Sequence, residues 1–504
     1  MMEPKAARGL ISAIEVDCFA VTQQKDRARS AEKILLLFFL LSLPLINPLV
    51  RGDGVGYYAF VRAPLIEHRF DFTNDYLRAN ASFRDPRVDE NGRVRQAFVT
   101  STGHLDNHFT PGPAMLWSPF LLLAHAGVLT ARALGSAVAA DGFSAPYRWA
   151  MALGTALYGF LGLLLSFRLA VKYMQWRWAL LATIGIWWAS SLPVYMYFNP
   201  SWSHAHSAFC VALFLFYWDK TSGERTLGQW LLLGTLAGLM LNVYYPNALV
   251  LAAPGVEALR EYMRRLRAPA AKWKDAAQLL SRHVAFSGVI LLCLLPTFLT
   301  RQIIYGNPFE SGYVPLRNWL WRSPVLLAVL FSADHGLFSW TPILLLACAG
   351  LVVFALRQPR LGNTLLAAAG AYYLFIACYP TWDGLSSYGN RFFVSLTPLF
   401  IVGLAAMLET LAAAWSRERG ARAASAAIAL FIVWNLGFIF QWGTQLVPAH
   451  GPISWSRMVH NQFVAVPRQL GGDMRTYLFR RSAMMQSIEQ KNMEQMKSQL
   501  TGHP

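Results

Sequence analysis

The stretch Arg51-Gly-Asp-Gly-Val-Gly-Tyr-Tyr58 leaves one apolar run and opens the longest polar loop before the next. An acidic residue set among glycines and followed by two tyrosines, at the lip of an apolar segment, can face water and still touch a lipid-borne molecule. Asp53 is therefore the candidate working carboxylate. A competing reading makes Asp-Gly only a turn at a helix end, because glycine supplies positive φ and aspartate bonds its own backbone. The rest of the chain has to separate the two.

Composition sets the class. The 504 residues are 55% hydrophobic, 14% aromatic and only 14% charged, with a mean hydropathy of +0.34. This is far more apolar than a soluble chain of that length, and it predicts an all-α polytopic membrane protein. A net charge of +17 in a soluble chain would suggest nucleic acid. Here the cations fall in short connections between apolar runs, where they hold loops in the cytoplasm, so no nucleic-acid partner is expected. Of the five cysteines, four lie inside apolar runs and Cys18 lies in the N-terminal tail. Without CxxC or metal-ligand spacing, neither a disulfide framework nor a zinc site is predicted.

Working outward from Asp53, Lys25, Arg27, Arg29 and Lys33 precede the apolar run Ile34–Val50. The run is long and lacks a small-residue cleavage site, so it reads as an uncleaved first span after a frayed cytoplasmic tail over residues 1–33. Asp53 then lies outside. Residues 51–112 carry eight arginines and eight acidic residues, too polar to span and balanced enough to be translocated. Pro113–Leu134 is apolar enough to cross. A crossing would send the later basic clusters outside, so it is assigned as a juxtamembrane helix on the outer face within a first external loop, 51–146. Further spans follow at 147–169, 179–197, 206–218, 227–245, 246–260, 284–304, 337–357, 363–379, 392–414 and 424–442, about eleven in all. A tight turn or broken helix is expected at Tyr244-Tyr-Pro-Asn247. The membrane domain covers 34–442, and residues 443–504 form a polar external tail, disordered from Arg480.

This topology gathers nearly every polar, aromatic and glycine-rich cluster on one face. A channel or transporter would place polar groups near mid-span, where Asn242 and Asn435 are the visible cases. Chemistry at the outer membrane surface is the better reading.

At this point the chain resembles the integral-membrane glycosyltransferases of the GT-C superfamily, which includes protein O-mannosyltransferases and the aminoarabinose transferase of lipid A. The likeness rests on Asp53 with Tyr57-Tyr58 after the first span, on His108-Phe-Thr-Pro-Gly-Pro-Ala114 closing the loop, and on the outer helix that follows. Shorter echoes are Pro200-Ser-Trp-Ser-His204, Tyr305-Gly-Asn-Pro308 and Tyr388-Gly-Asn-Arg-Phe392. The resemblance implies a sugar carried on a polyprenyl phosphate and transferred with inversion to a hydroxyl of a glycan, lipid or protein. It also implies an inner-membrane protein of a bacterium whose site faces the periplasm.

An inverting transfer needs one carboxylate to take the acceptor proton, and Asp53 is the candidate. The leaving phosphate needs a fixed cation. Arg391 is the first choice, since a guanidinium grips phosphate oxygens in pairs, and His204 the second. Arg391 also reads as a snorkelling anchor beside Phe392 and Phe393. Tyr57, Tyr58, Asp75, His108 and Trp382 are candidate substrate contacts. The aromatic residues, with Trp202, read equally as interfacial anchors, Asp75 as a cap or turn, and His108 as a plain surface histidine. No metal set is evident, although a divalent cation on Asp75 or Asp383 stays open. Competing functions are a lipid-linked glycan transporter or flippase and an inactive scaffold of the same fold.

Overall fold

The computed structural model describes residues 4–501 except 80–82, 84 and 268–272. Among these the protein is helical, with two isolated antiparallel bridges, Val88 with Val94 and Val99 with Leu105, in the first loop. The chain is an integral, multi-pass membrane protein. Among the described residues five helices are long and apolar enough to cross a bilayer: Gly112–Ala133, Ala145–Val171, Trp273–Cys293, Arg391–Ala413 and Glu418–Gly443. Leu227–Val243 and Ile343–Arg357 are apolar but shorter.

Several of the expected spans are broken, and proline explains most of the breaks. The first helix covers Pro4–Ser42, so the tail thought to fray is helical from Pro4, while the helix through the apolar run ends at Ser42 rather than Val50. Pro44 opens a short 3₁₀ turn there, and its missing N–H and fixed φ stop the helix. The expected span 284–304 is two helices, Trp273–Cys293 and Leu295–Tyr305, with Pro296 opening the second. The span 246–260 is a 3₁₀ stretch, Tyr245–Leu251, leading into Ala252–Leu266, the broken helix anticipated at Tyr245-Pro-Asn247. Part of the basic connection after it lies outside the described residues, as do positions 1–3 and 502–504.

The tail also differs from expectation. Instead of losing structure at Arg480 it forms helices Trp455–Phe463, Ala465–Phe479 and Arg481–Thr501. Its anchor is the broken end of the first helix. Tyr477 donates to the Leu45 carbonyl at 2.7 Å, and Arg481 donates to the carbonyls of Pro44, at 2.7 Å, and Ile46. Carbonyls that the helix can no longer satisfy find partners in the tail.

Ala145–Val171 gives the bundle its axis. The first helix runs antiparallel to it, with Phe39 stacked on Phe160 at 4.5 Å and Glu32 paired with Arg168 at 2.7 Å. His204–Lys220 runs parallel, from Tyr158 against His206 to Lys172 bonded to Asp219 at 2.7 Å. At the Lys172 end the ion pairs Arg225–Glu257, Arg360–Glu257 and Arg357–Glu409 tie the connections together. The clusters around Asp53 lie away from that end, where the turn before His204 meets Thr155 at mid-helix. Gly112–Ala133 lies against the first half of the axis helix, from Leu116 opposite Tyr158 to His125 opposite Tyr147. It therefore runs antiparallel to that half of the axis helix.

Candidate active site: a carboxylate–guanidinium pair in an aromatic cavity

Asp53 is the first residue of helix Asp53–Arg62, not a bare turn. Gly52 precedes it at φ 53°, a left-handed conformation that costs a side chain strain and costs glycine nothing. Gly54 lets the helix close on its neighbour, because a Cβ there would stand 2.0 Å from Ser201 Oγ. The glycines thus place the carboxylate against the turn that precedes His204.

That turn is braced from both sides. Arg51 donates twice to Asn199 Oδ1, at 2.7 and 3.1 Å, and the Arg51 carbonyl accepts from Trp202 Nε1 at 3.0 Å. Ser203 Oγ donates to the Tyr57 hydroxyl at 3.0 Å. Trp202, read from sequence as a surface anchor, is 5% exposed and lies under the guanidinium of Arg391, whose Cζ is 4.4 Å from the indole. Arg391 opens the short 3₁₀ turn Arg391–Leu396, which runs into the buried helix Thr397–Ala413. From there its Nη1 donates to Asp53 Oδ2 at 2.7 Å.

The pair faces a cavity of about 750 Å³ whose wall also includes Tyr57, His108 and His204. Arg391 Nε and His204 Nδ1 are buried without a hydrogen-bond partner among the described residues. Both residues line the cavity wall, although these two atoms themselves are covered by protein. His206, two positions on, is buried and packs on Trp117 and Tyr158; it does not line the cavity.

Three sequence candidates stand elsewhere. Tyr58 donates to the Gly142 carbonyl at 2.7 Å, away from the cavity. Asp75 is buried in a two-point ion pair with Arg62, at 2.5 and 2.6 Å, and Glu67 takes the third contact of that guanidinium. Trp382 gives its carbonyl to Asn390 and is partly buried against the core. Each has a local partner that a motif could not reveal.

Other wall residues escaped sequence reading: Arg87, Arg301, Tyr244, Tyr245 and Tyr313. The two arginines are committed to the protein. Arg301 is 1% exposed and donates to the carbonyls of Asn107, His108 and Phe109 and to the Tyr245 hydroxyl, clamping the proline-rich end of the first loop. Arg87 donates to the Asp106 carbonyl and lies over Tyr76 and Phe98. Near the rim, burial works to raise the Asp106 carboxyl, but hydrogen bonds from His108 and Tyr305 outweigh it, so the group sits below the ordinary carboxylate range. The signal for Arg301 was available: a lone cation at the end of an apolar run, next to Tyr305-Gly-Asn-Pro308.

Fold and site together define a multi-pass helical membrane protein with an Asp–Arg pair at the wall of an aromatic cavity. No protein-family model matches the sequence, and no curated protein matches it. Among solved structures, the chain is similar to the archaeal oligosaccharyltransferase AglB from Archaeoglobus fulgidus, in complex with an inhibitory peptide and a dolichol-phosphate. The identity is 14% and the TM-score 0.47, over 88% of this chain and 54% of that one. The chain thus spans about half the length of that protein. What this chain does is argued below from its own residues.

Proposed function

We propose that this protein is a membrane glycosyltransferase that moves a sugar from a polyprenyl-phosphate donor to an acceptor hydroxyl at the outer face, with inversion. The observation that carries the reading is the contact between Asp53 and Arg391 at the cavity wall. Arg391 takes one carboxylate oxygen and so fixes the direction of the other, which is left to accept the hydroxyl proton of a glycan, lipid or protein acceptor. As the acceptor oxygen bonds to the sugar carbon, the bond to phosphate breaks and its electron pair passes to the phosphate oxygen. Arg391 and His204, which both line the cavity, are the groups closest in kind to what that charge requires.

The aromatic wall suits the rest of the substrate. Tyr244, Tyr313, Trp319 and Phe392 line the cavity and suit a sugar ring or a prenyl chain. A transporter would instead present several unpaired cations in its cavity. Of the three arginines here, two are occupied by backbone carbonyls, which favours a site that holds one phosphate.

The test is mass analysis of envelope glycolipids from cells with and without the protein, complemented by wild type or by Asp53→Asn. A glycolipid that disappears with the gene and returns only with Asp53 supports transfer. Full restoration by Asp53→Asn would sink the catalytic assignment. Net movement of lipid-linked sugar across proteoliposomes without new glycosidic bonds would favour transport. Labelling of Asp53→Cys by an impermeant reagent is expected from outside; labelling only from the cytosolic side overturns the sidedness.

A further inference from the structure

Beside the cavity, outside its lining, three ligand-type side chains converge. Asp334, His335 and Asp383 each place one ligand atom within 4.8 Å of the other two. Asp334 and His335 follow the short helix Leu326–Phe331, whereas Asp383 sits in the loop after helix Pro359–Ala377, so the fold and not the local sequence joins them. None of the three lines the cavity.

The histidine distinguishes this group from an ordinary acidic cluster. His335 is wholly buried; one nitrogen lies 2.8 Å from Asp334 Oδ1, and Nε2 has no partner among the described residues. The ring is held by stacking on Trp340 at 4.7 Å, and Trp340 in turn donates to the Ala333 carbonyl at 3.1 Å. Neither carboxylate has an ion pair with lysine or arginine among the described residues. Two acidic groups and an imidazole therefore share a half-buried space, an arrangement that like charges oppose unless a cation lies between them.

We propose that Asp334, His335 and Asp383 form a binding site for one divalent transition-metal ion, of the zinc or manganese class. Two carboxylate oxygens and an imidazole nitrogen suit these ions better than magnesium or calcium, which take oxygen ligands. With metal–ligand bonds of about 2.0–2.2 Å, ligand atoms around such an ion stand about 3 to 4 Å apart, so the three groups need only small side-chain rotations to close on it. The carboxylates are only half-buried, which leaves room for water in the remaining positions. The ion would tie the loop bearing Asp334 to the loop that ends in Arg391, and it would do so whether or not the transferase reading holds.

The experiment uses the full chain, tag-free and in detergent, stripped with a chelator and dialysed against Zn²⁺ or Mn²⁺. Metal content should return to about one ion per chain. It should fall at least tenfold in the near-isosteric Asp334→Asn/Asp383→Asn double variant, and stay whole in Asp53→Asn. Because buried His335 is sensitive to change, electron paramagnetic resonance of bound Mn²⁺ is read only on monodisperse protein. There the wild type should give a bound-ion signal that the double variant lacks. Failure of the wild type to take up a stoichiometric amount of either ion, or equal uptake by the folded double variant, overturns the site.

Discussion

Arg391 and Asp53 are 338 positions apart in the chain, yet Nη1 of one lies 2.7 Å from Oδ2 of the other. The guanidinium is stacked on Trp202 beneath it, so its plane is set before any ligand arrives. This pairing joins the residue chosen as base to the residue chosen for the phosphate, roles the sequence had kept separate.

Removing the proton acceptor should be severe. Asp53→Asn keeps size and hydrogen bonding but cannot take a proton, so transfer should fall by about 10²- to 10⁴-fold with membrane insertion unchanged. Arg391→Lys keeps charge but loses the planar fork, and the turnover number should fall by about 10²-fold. Both are read as glycolipid formed per unit of inserted protein.

Packing around Gly54 offers a test independent of catalysis. Gly54→Ala drives a methyl to within 2.0 Å of Ser201 Oγ and should destabilise the protein by about 1–3 kcal/mol. Ser201→Gly removes the two side-chain atoms in the way, so the double variant should recover part of the loss. Thermal melts of the four proteins form the cycle, and strictly additive losses would contradict the contact.

Asp75 should behave as structure and not as chemistry. Its ion pair with Arg62 has side chains 2% and 1% exposed, so Asp75→Ala leaves a buried guanidinium with Glu67 alone and should cost about 1.5–3 kcal/mol. Residual folded protein should keep its turnover number. A variant that folds normally but loses turnover would return Asp75 to the site.

The first loop should loosen in acid. Partial burial pushes the Glu67 carboxyl upward, but hydrogen bonds from Arg62, Asn74 and Arg69 outweigh it and hold the group at about 2, below its usual 4.5. A depressed folded value means the stabilisation is complete above 4.5 and is lost as the pH falls from 4.5 toward 2. Hydrogen exchange over residues 62–78 should accelerate across that window. Glu67→Gln should flatten the change.

Much of the site was legible because its signals are local. Glycines around Asp53, a histidine after Pro200-Ser-Trp-Ser and an arginine after Tyr388-Gly-Asn all sit at the ends of apolar runs, and the fold brings Asp53, Tyr57, His108, His204 and Arg391 to one cavity wall. Tyr58, Asp75 and Trp382 carried the same local signal but are taken up by Gly142, Arg62 and the core. Prolines 44 and 296 marked helix breaks that hydropathy smoothed over.

Composition and the period of apolar runs were enough to make this a helical membrane protein with its polar clusters at run ends, because burial in lipid requires each span to satisfy its own backbone. The partners of those clusters depend on contacts between residues hundreds of positions apart, which no local pattern encodes. Only the packed helices decided that Asp53 meets Arg391, that Arg301 clamps a loop instead of facing the cavity freely, and that the tail supplies donors to the broken end of the first helix.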